Sequence, residues 1–255
     1  MVPDLERLRS GIFYFLRGLA MKNLKILVLA IAAASVSPVS AIGIGSLTTE
    51  MQEKEFYVVK QIQNDDSVAK FVSTEVQQVS DPKTLKVLQA QKKDVLVSPA
   101  TVFLPPHQKA DVKIYYQGER DDKERYYQLS FIEQSVSSES QLKGGVSVSA
   151  KQRIRLSSIL VVRPRTIHFT FEQDGKGNVR NTGNTFIHVT ATGKCEEKGH
   201  KDPQACSRSA FLLPGEAIDM SKRAGIRTLD GVGIWKGTDY QYFPTHTTPT
   251  RIVAK

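Results

Sequence analysis

Short strand-like segments separated by turn residues dominate the sequence from residue 42 onward. Branched and aromatic residues are concentrated in these segments, and clusters of Gly, Pro, Asn and Asp end them. The clearest segments are 56–59, 85–88, 95–97, 112–116, 126–132 and 159–162. No helical apolar period longer than about ten residues is found in this part of the chain. Strands at a spacing of roughly 8 to 12 residues predict an all-β fold of antiparallel sheets, as in a sandwich or a barrel.

The strand pattern begins again after residues 163–165, Arg-Pro-Arg, which we interpret as a linker between domains. Apolar and polar residues alternate once more over 167–171, and further strand segments follow to the end of the chain. The pattern therefore predicts two domains, residues 42–163 and residues 164–255. Each has about 100 residues, which is enough for one sandwich with its own core.

Residues 21–41 have the composition of a secretory signal peptide. Lys22 and Lys25 precede an apolar run over 26–34, which is shorter than the roughly 20 residues that a membrane span requires. The sequence Val-Ser-Ala at 39–41 then places small residues at the third and first positions before a cut. We predict cleavage after Ala41 and export to the periplasm.

The twenty residues before Met21 contain a second apolar patch over 11–20, which Arg17 interrupts. A signal peptide needs no such extension, so we interpret Met21 as the true start of translation. The alternative is a membrane anchor over 11–41. Its three basic residues divide that stretch into pieces too short to span a bilayer, and we expect no stable membrane insertion.

Charge and motifs argue against several classes of function. The net charge of +9 falls to +6 without the first 41 residues, which hold five basic and two acidic residues. No basic run is interleaved with aromatic residues, so a nucleic-acid partner is not expected. The five histidines are scattered, and the His-Glu-x-x-His, Gly-x-Ser-x-Gly and phosphate-binding glycine motifs are missing. We therefore expect no catalytic residues and no cofactor.

The two cysteines, Cys195 and Cys206, both lie in the predicted second domain. In an oxidising compartment such a pair predicts one disulfide. The alternative is a zinc site that also uses His200. The segment offers too few ligands for that site, so no metal is expected.

The most informative part of the first predicted domain contains Pro99, Leu104, Pro106, Val112, Glu124, Tyr126 and Tyr127. With these residues the domain resembles the N-terminal domain of periplasmic pilus chaperones. The resemblance continues through 155–164, 181–185, 193–195 and 212–215, and there the chain is similar to the alternate, Ecp/Mat-type branch. The resemblance implies two immunoglobulin-like sandwiches in a boomerang arrangement with a cleft between them. It also implies a non-enzymatic chaperone for pilus subunits that engages an outer-membrane usher.

The resemblance further implies how a subunit would be bound. Chaperones of this family lend the last strand of their first domain to an incomplete subunit sandwich, with apolar side chains at alternate positions. Val146, Val148 and Ala150 alternate with Ser147 and Ser149, so they are the expected donors. The alternative is an ordinary half-buried strand of the protein's own sheet. Self-association of the free protein through the same edge stays open.

Family members also use a basic residue beyond the donor positions to hold the subunit's C-terminal carboxylate in the cleft. Arg155, five positions after Ala150, has a comparable spacing, although a solvated strand arginine is the alternative. A second basic residue, which the family has near the end of the first strand, is missing from 46–51. Arg153 and Lys60 are the candidates for its role.

A second hypothesis is a structural or adhesive immunoglobulin-like protein of the pilus or cell surface. Such a subunit would be a single incomplete sandwich with a free N-terminal donor segment. Two complete domains are predicted here, which favours the chaperone.

Overall fold

The computed structural model describes residues 41–88, 93–136, 153–196, 199, 201–223, 225–237, 239–245 and 250–253. Residues 41–255 belong to one compact unit. Almost every regular element in the described ranges is a β-strand, and a single 3-10 turn, Met220–Lys222, accompanies them. The expected donors Val146, Val148 and Ala150 lie outside the described residues, as does His200.

In its described residues the first sandwich contains eight strands. They are β1 (Thr48–Met51), β2 (Tyr57–Gln63), β3 (Lys70–Val79), β4 (Val95–Ser98), β5 (Thr101–Leu104), β6 (Lys109–Tyr116), β7 (Arg125–Ser135) and β8 (Arg153–Val162). One sheet has the order β1-β8-β7-β3-β5, and the other has the order β2-β6-β4. β1 runs parallel to β8, whereas the other neighbouring strands of this sheet pair antiparallel. Before β1, Gly43 pairs with Gln63 of the opposite sheet, so the first described segment, which includes β1, contacts both sheets.

The core of this sandwich lies between the two sheets. Its centre is formed by Val72, Ile114, Leu129, Phe131 and Leu160, all fully buried. Each such side chain contributes roughly 1.5–3 kcal/mol relative to an exposed position. Alternate residues of β6 point into this core and out to solvent, as expected for a sheet with one wet face.

The described part of the second sandwich also contains eight strands. They are β9 (Thr170–Gln173), β10 (Asn178–Asn181), β11 (Ile187–Cys195), β12 (Gln204–Leu212), β13 (Ala217–Asp219), β14 (Ile226–Lys236), β15 (Asp239–Pro244) and β16 (Thr250–Val253). They form the sheets β13-β10-β9-β16 and β12-β11-β14-β15. Phe171, Val189, Leu212, Met220 and Ile234 are buried between them. The predicted all-β fold with two immunoglobulin-like sandwiches is thus confirmed.

The strand predicted over 85–88 is wrong. Here the chain makes a single bridge between Val79 and Val87, and Leu85 has a φ of +54°. The carboxylate of Asp81 accepts hydrogen bonds from the backbone N–H groups of Lys83 and Thr84. This local capping turns the chain at 82–84, immediately before the segment that the apolar pattern predicted to be a strand.

Cys195 and Cys206 form a disulfide between the neighbouring strands β11 and β12, with their Cα atoms 5.7 Å apart. The disulfide predicted from the cysteine pair is confirmed.

We expect loss of this disulfide to destabilise the second sandwich by about 3 kcal/mol, because the open loop regains chain entropy in the unfolded state. The variant with Ala at both Cys195 and Cys206 should therefore unfold at lower denaturant. Trp235 is the single tryptophan and lies in β14, so its fluorescence reports this transition. The first sandwich has no cysteine and serves as the internal control.

Candidate functional site

β8 is paired on both sides for less than half of its length. β1 pairs with residues 159–162, and β7 pairs with residues 153–162. Within the described ranges, no strand pairs with the other side of residues 153–158. This part of β8 is therefore an open edge of the sheet.

The open edge presents main-chain hydrogen-bonding groups of alternate residues. Ile159 and Arg163 donate their backbone N–H groups to Leu47 and Met51 on the β1 side. The main-chain N–H and C=O groups of successive residues point to opposite sides of a strand. Those of Arg153, Arg155 and Ser157 therefore point to the β1 side, as those of Ile159 and Arg163 do. Unpaired N–H and C=O groups in a row are a template for a further strand.

The two predicted basic binding residues lie on this open stretch with exposed side chains. Arg155 forms an ion pair with Glu75, with Nη1 3.0 Å from Oε2, and both side chains are about half exposed (53%). Arg153, at the start of β8, is also exposed. Neither residue lines the two grooves at the junction of the sandwiches. Their part in binding stays a prediction.

Lys60, the other basic candidate, is buried in the first sandwich, with 5% of its surface exposed. Its ammonium group donates to the backbone oxygen of Ser46 at 2.6 Å and to Oγ1 of Thr49 at 3.4 Å. Burial lowers the pKa of Lys60. Both contacts are with the segment around the start of β1, so Lys60 helps to hold β1 beside β8.

Arg163, which follows β8, joins the two sandwiches. It donates to Glu50 (Nη2 to Oε2, 2.8 Å) and to Glu124 (Nη1 to Oε2, 3.0 Å), and it also contacts the hydroxyl of Thr185. The guanidinium carbon lies 4.0 Å from the centre of the Phe186 ring. Glu50 and Glu124 belong to the first sandwich, and Thr185 and Phe186 belong to the second.

Glu124 of the first sandwich also bonds directly to residues of the second sandwich. It accepts hydrogen bonds from Oγ1 of Thr185 at 2.6 Å and from the backbone N–H of Phe186 at 3.0 Å. Its side chain is only 1% exposed, and that of Arg163 is 12% exposed. Buried charges are tolerated when they are paired and hydrogen-bonded, and both conditions hold for Arg163 and Glu124. Sequence reasoning treated Arg163 only as part of a linker and missed this role.

Two adjoining grooves lie at the junction. The larger has a volume of 610 Å³ and is lined by residues that include Glu50, Arg163, Phe186 and His188. The smaller, of 350 Å³, lies against Ile159 and Val161 of β8. Apolar packing supports the junction, because Tyr126 and Val161 of the first sandwich pack with Leu213 of the second.

A row of rings crosses the outer face of the second sandwich beside the larger groove. His188 of β11 lies directly opposite Phe211 of β12 and Trp235 of β14, and Trp235 lies opposite Tyr240 of β15. The ring centres are 4.7, 6.3 and 4.6 Å apart in that order. Burial lowers the pKa of His188, so this ring is favoured in its neutral form.

No group of three or more His, Cys, Asp or Glu side chains suited to a metal ion occurs in the part of the chain that the structure describes. The described features of the site are an open strand edge, a charged junction and apolar grooves. Together they suit main-chain pairing with another polypeptide.

Each of the two sandwiches matches the model of a known protein family. The family model for the N-terminal domain of PapD, described as a pili and flagellar-assembly chaperone, matches residues 41–168. The model for the EcpB C-terminal domain matches residues 169–242. The chain belongs to the PapD-like family of pilus assembly chaperones.

Curated relatives agree with this membership. A probable fimbrial chaperone EcpB of Klebsiella pneumoniae is 28% identical over 217 residues, which cover 84% of this chain and 96% of the relative. The protein of the same name from Escherichia coli O1:K1 is 27% identical over the same length. These relatives, both named as fimbrial chaperones, bear out the resemblance that the sequence motifs indicated.

A solved structure of a fimbrial chaperone gives the same fold. The class 5 fimbriae chaperone CfaA superposes with a TM-score of 0.51 at 13% sequence identity, covering 84% of this chain and 98% of CfaA. At this identity the likeness supports the fold of two sandwiches and nothing finer.

We predict that Arg163→Ala lowers the free energy of unfolding by about 3 kcal/mol, because it leaves the buried carboxylate of Glu124 without its cation. Arg155→Ala is the matched control, since it removes an exposed ion pair that is worth less than about 1 kcal/mol. Calorimetric unfolding of both variants measures the difference. Equal destabilisation by the two substitutions would contradict the assignment of Arg163 as the junction residue.

Proposed function

We propose that the protein protects pilus subunits in the periplasm by donor-strand complementation through β8 and the residues that precede it. The observation that supports this is the open edge of β8 over residues 153–158. A subunit sandwich that lacks a strand exposes a complementary edge and an apolar groove, both prone to aggregation. Pairing of the two edges satisfies main-chain groups on both proteins.

The side-chain pattern of β8 supports the predicted donor residues. Ile154 and Leu156 are partly buried, and Leu156 packs against the core of the first sandwich. Even-numbered positions of one continuous strand share a face. In the proposed complex, therefore, Val146, Val148 and Ala150 share a face with one another and fill the subunit's groove, while the intervening serines face away.

Arg155 can exchange its present partner at little cost. Its ion pair with Glu75 is half exposed, and such pairs contribute less than about 1 kcal/mol. We propose that Arg155, with Arg153 beside it on the same face, binds a carboxylate of the subunit in place of Glu75. Arg163 is less suited to this role, because its guanidinium already bonds to Glu50, Glu124 and Thr185.

We place the protein in the periplasm, after removal of a signal peptide that ends at Ala41. In the described residues, no helix is both long and apolar enough to cross a membrane. The relatives are named as fimbrial chaperones, which supports pilus subunits as clients. We further propose an outer-membrane usher as the acceptor of the loaded chaperone, and we assign neither catalysis nor a cofactor to the protein.

Substitution of Val146 and Val148 by Asp should weaken subunit binding at least about 100-fold, because two charges would enter an apolar groove without partners. Ser147→Asp combined with Ser149→Asp is the matched control. It adds the same charge to the same segment on the opposite face, and we expect binding within about threefold of the unchanged protein. Co-purification and titration with a purified subunit measure both. If the two double substitutions weaken subunit binding equally, the alternation of apolar side chains does not determine binding.

For Arg155→Ala we expect binding of the subunit to weaken about tenfold, as for loss of one charge-assisted contact at a partly wet site. Glu75→Gln makes the opposite change, because it releases Arg155 from its ion pair, and it should leave binding unchanged or slightly tighter. A loss of binding in Glu75→Gln as large as in Arg155→Ala would show that the pair is needed intact, against the proposal.

The alternative function, a structural or adhesive component of the pilus, is not favoured by family membership or by the two sandwiches. Cell fractionation separates the two functions. A chaperone stays in the periplasm, whereas a pilus component is recovered from the cell surface.

A further inference from the structure

The first sandwich holds a buried ion pair, with a partly exposed Asp66 beside it, close to the start of the described chain. Lys70 of β3 and Glu133 of β7 are 1% and 2% exposed, and their Nζ and Oε1 atoms are 3.2 Å apart. The same Nζ lies 3.5 Å from Oδ2 of Asp66. These three side chains carry two negative charges and one positive charge.

The backbone nitrogen of Ile42 is a further neighbour of Glu133. It donates to Oε2 of Glu133 at 2.8 Å. Ile42 is only 3% exposed, and with Ile44 it belongs to the core of the sandwich. Gly43 exchanges two backbone hydrogen bonds with Gln63, at 2.7 and 2.8 Å. Contacts of Ile42 and of the residues after it thus help to hold this nitrogen beside Glu133.

We propose that Glu133 is the internal binding site for the mature N-terminus, which is the α-ammonium group formed at Ile42 when the signal peptide is removed. This inference rests on the cleavage after Ala41 in the proposed function. Water adds across the Ala41–Ile42 peptide bond. The carbonyl carbon of Ala41 becomes a carboxylate on the leaving segment, and the nitrogen of Ile42 becomes an ammonium group.

Charge balance supports this pairing. The ammonium group adds one positive charge beside Glu133, so the four groups together become neutral. A buried carboxylate is stabilised by each cation that contacts it, and an ammonium group is a stronger donor than a peptide N–H. The ordinary pKa of an α-amino group, roughly 7.7–8.0, keeps most of it protonated at neutral pH.

The burial of Ile42 also indicates whether cleavage or folding comes first. In the folded sandwich Ile42 is buried and its nitrogen is hydrogen-bonded, so a protease cannot reach the bond before it. Cleavage must therefore precede completion of the fold. Only the processed chain then completes the charged group, which couples export of the protein to the stability of its first sandwich.

The test compares two processed chains, one that begins at Ile42 and one that begins at Val39 and so keeps a peptide bond at Ile42. We expect calorimetry to show the first sandwich unfolding about 5 °C higher in the chain that begins at Ile42. Glu133→Gln should abolish this difference. Glu75→Gln, an exposed residue on the neighbouring strand β3, is the matched control and should preserve it.

A second measurement needs no substitution in Glu133 and stays informative if that variant does not fold. At neutral pH, reductive methylation should label the α-amine of Ile42 at least about tenfold more slowly than that of Val39, because a buried amine reacts only through local opening. Equal labelling rates with equal unfolding temperatures would overturn the proposal. So would a first residue other than Ile42 in the protein recovered from the periplasm.

Subunit binding by the same two chains separates this proposal from the proposed function. A chain that binds subunits but shows neither the temperature difference nor the protection overturns the role of Glu133 alone. A chain that shows both effects but binds no subunit supports Glu133 and refutes the proposed function.

Discussion

The antiparallel pairing of β7 with β8 is the interaction on which the rest of the site depends. It runs the whole length of β8, from Arg153 to Val162, whereas β1 covers only the last four residues. Because β1 is shorter than β8, the start of β8 is an open edge in the described residues. Arg163 follows the other end of β8 and lies at the junction. The proposed binding surface and the connection between the sandwiches are therefore two ends of one strand.

The junction shows why the two ends can have different properties. Arg163 and Glu124 are buried and multiply bonded, so their removal leaves an unpaired charge and is costly. Arg155 and Glu75 are exposed, and their pair can be broken at little cost. The proposed mechanism requires both properties, because the sandwiches must stay joined while Arg155 exchanges Glu75 for a carboxylate of the subunit.

Much of the fold was predictable because it depends on local patterns. Alternation in segments such as 112–116 and 126–132 predicted strands that the structure contains, and the cysteine pair predicted the disulfide. The apolar pattern failed at 85–88, a segment that follows a turn capped by the side chain of Asp81 and forms a single bridge. Arg163 was missed because its partners Glu50 and Glu124 are 113 and 39 residues away in sequence, and nothing local indicates such pairs.

An open strand edge is a hazard for any soluble protein, and β8 reduces it with charge. Arg153 and Arg155 are exposed on the open stretch, and a charged side chain there disfavours pairing with another copy of the same edge. In the proposed complex, a carboxylate of the subunit removes this penalty and forms an ion pair, whereas a second chaperone would bring its own two arginines. The same residues can therefore oppose self-association and favour the client, so that discrimination arises from repulsion as much as from attraction.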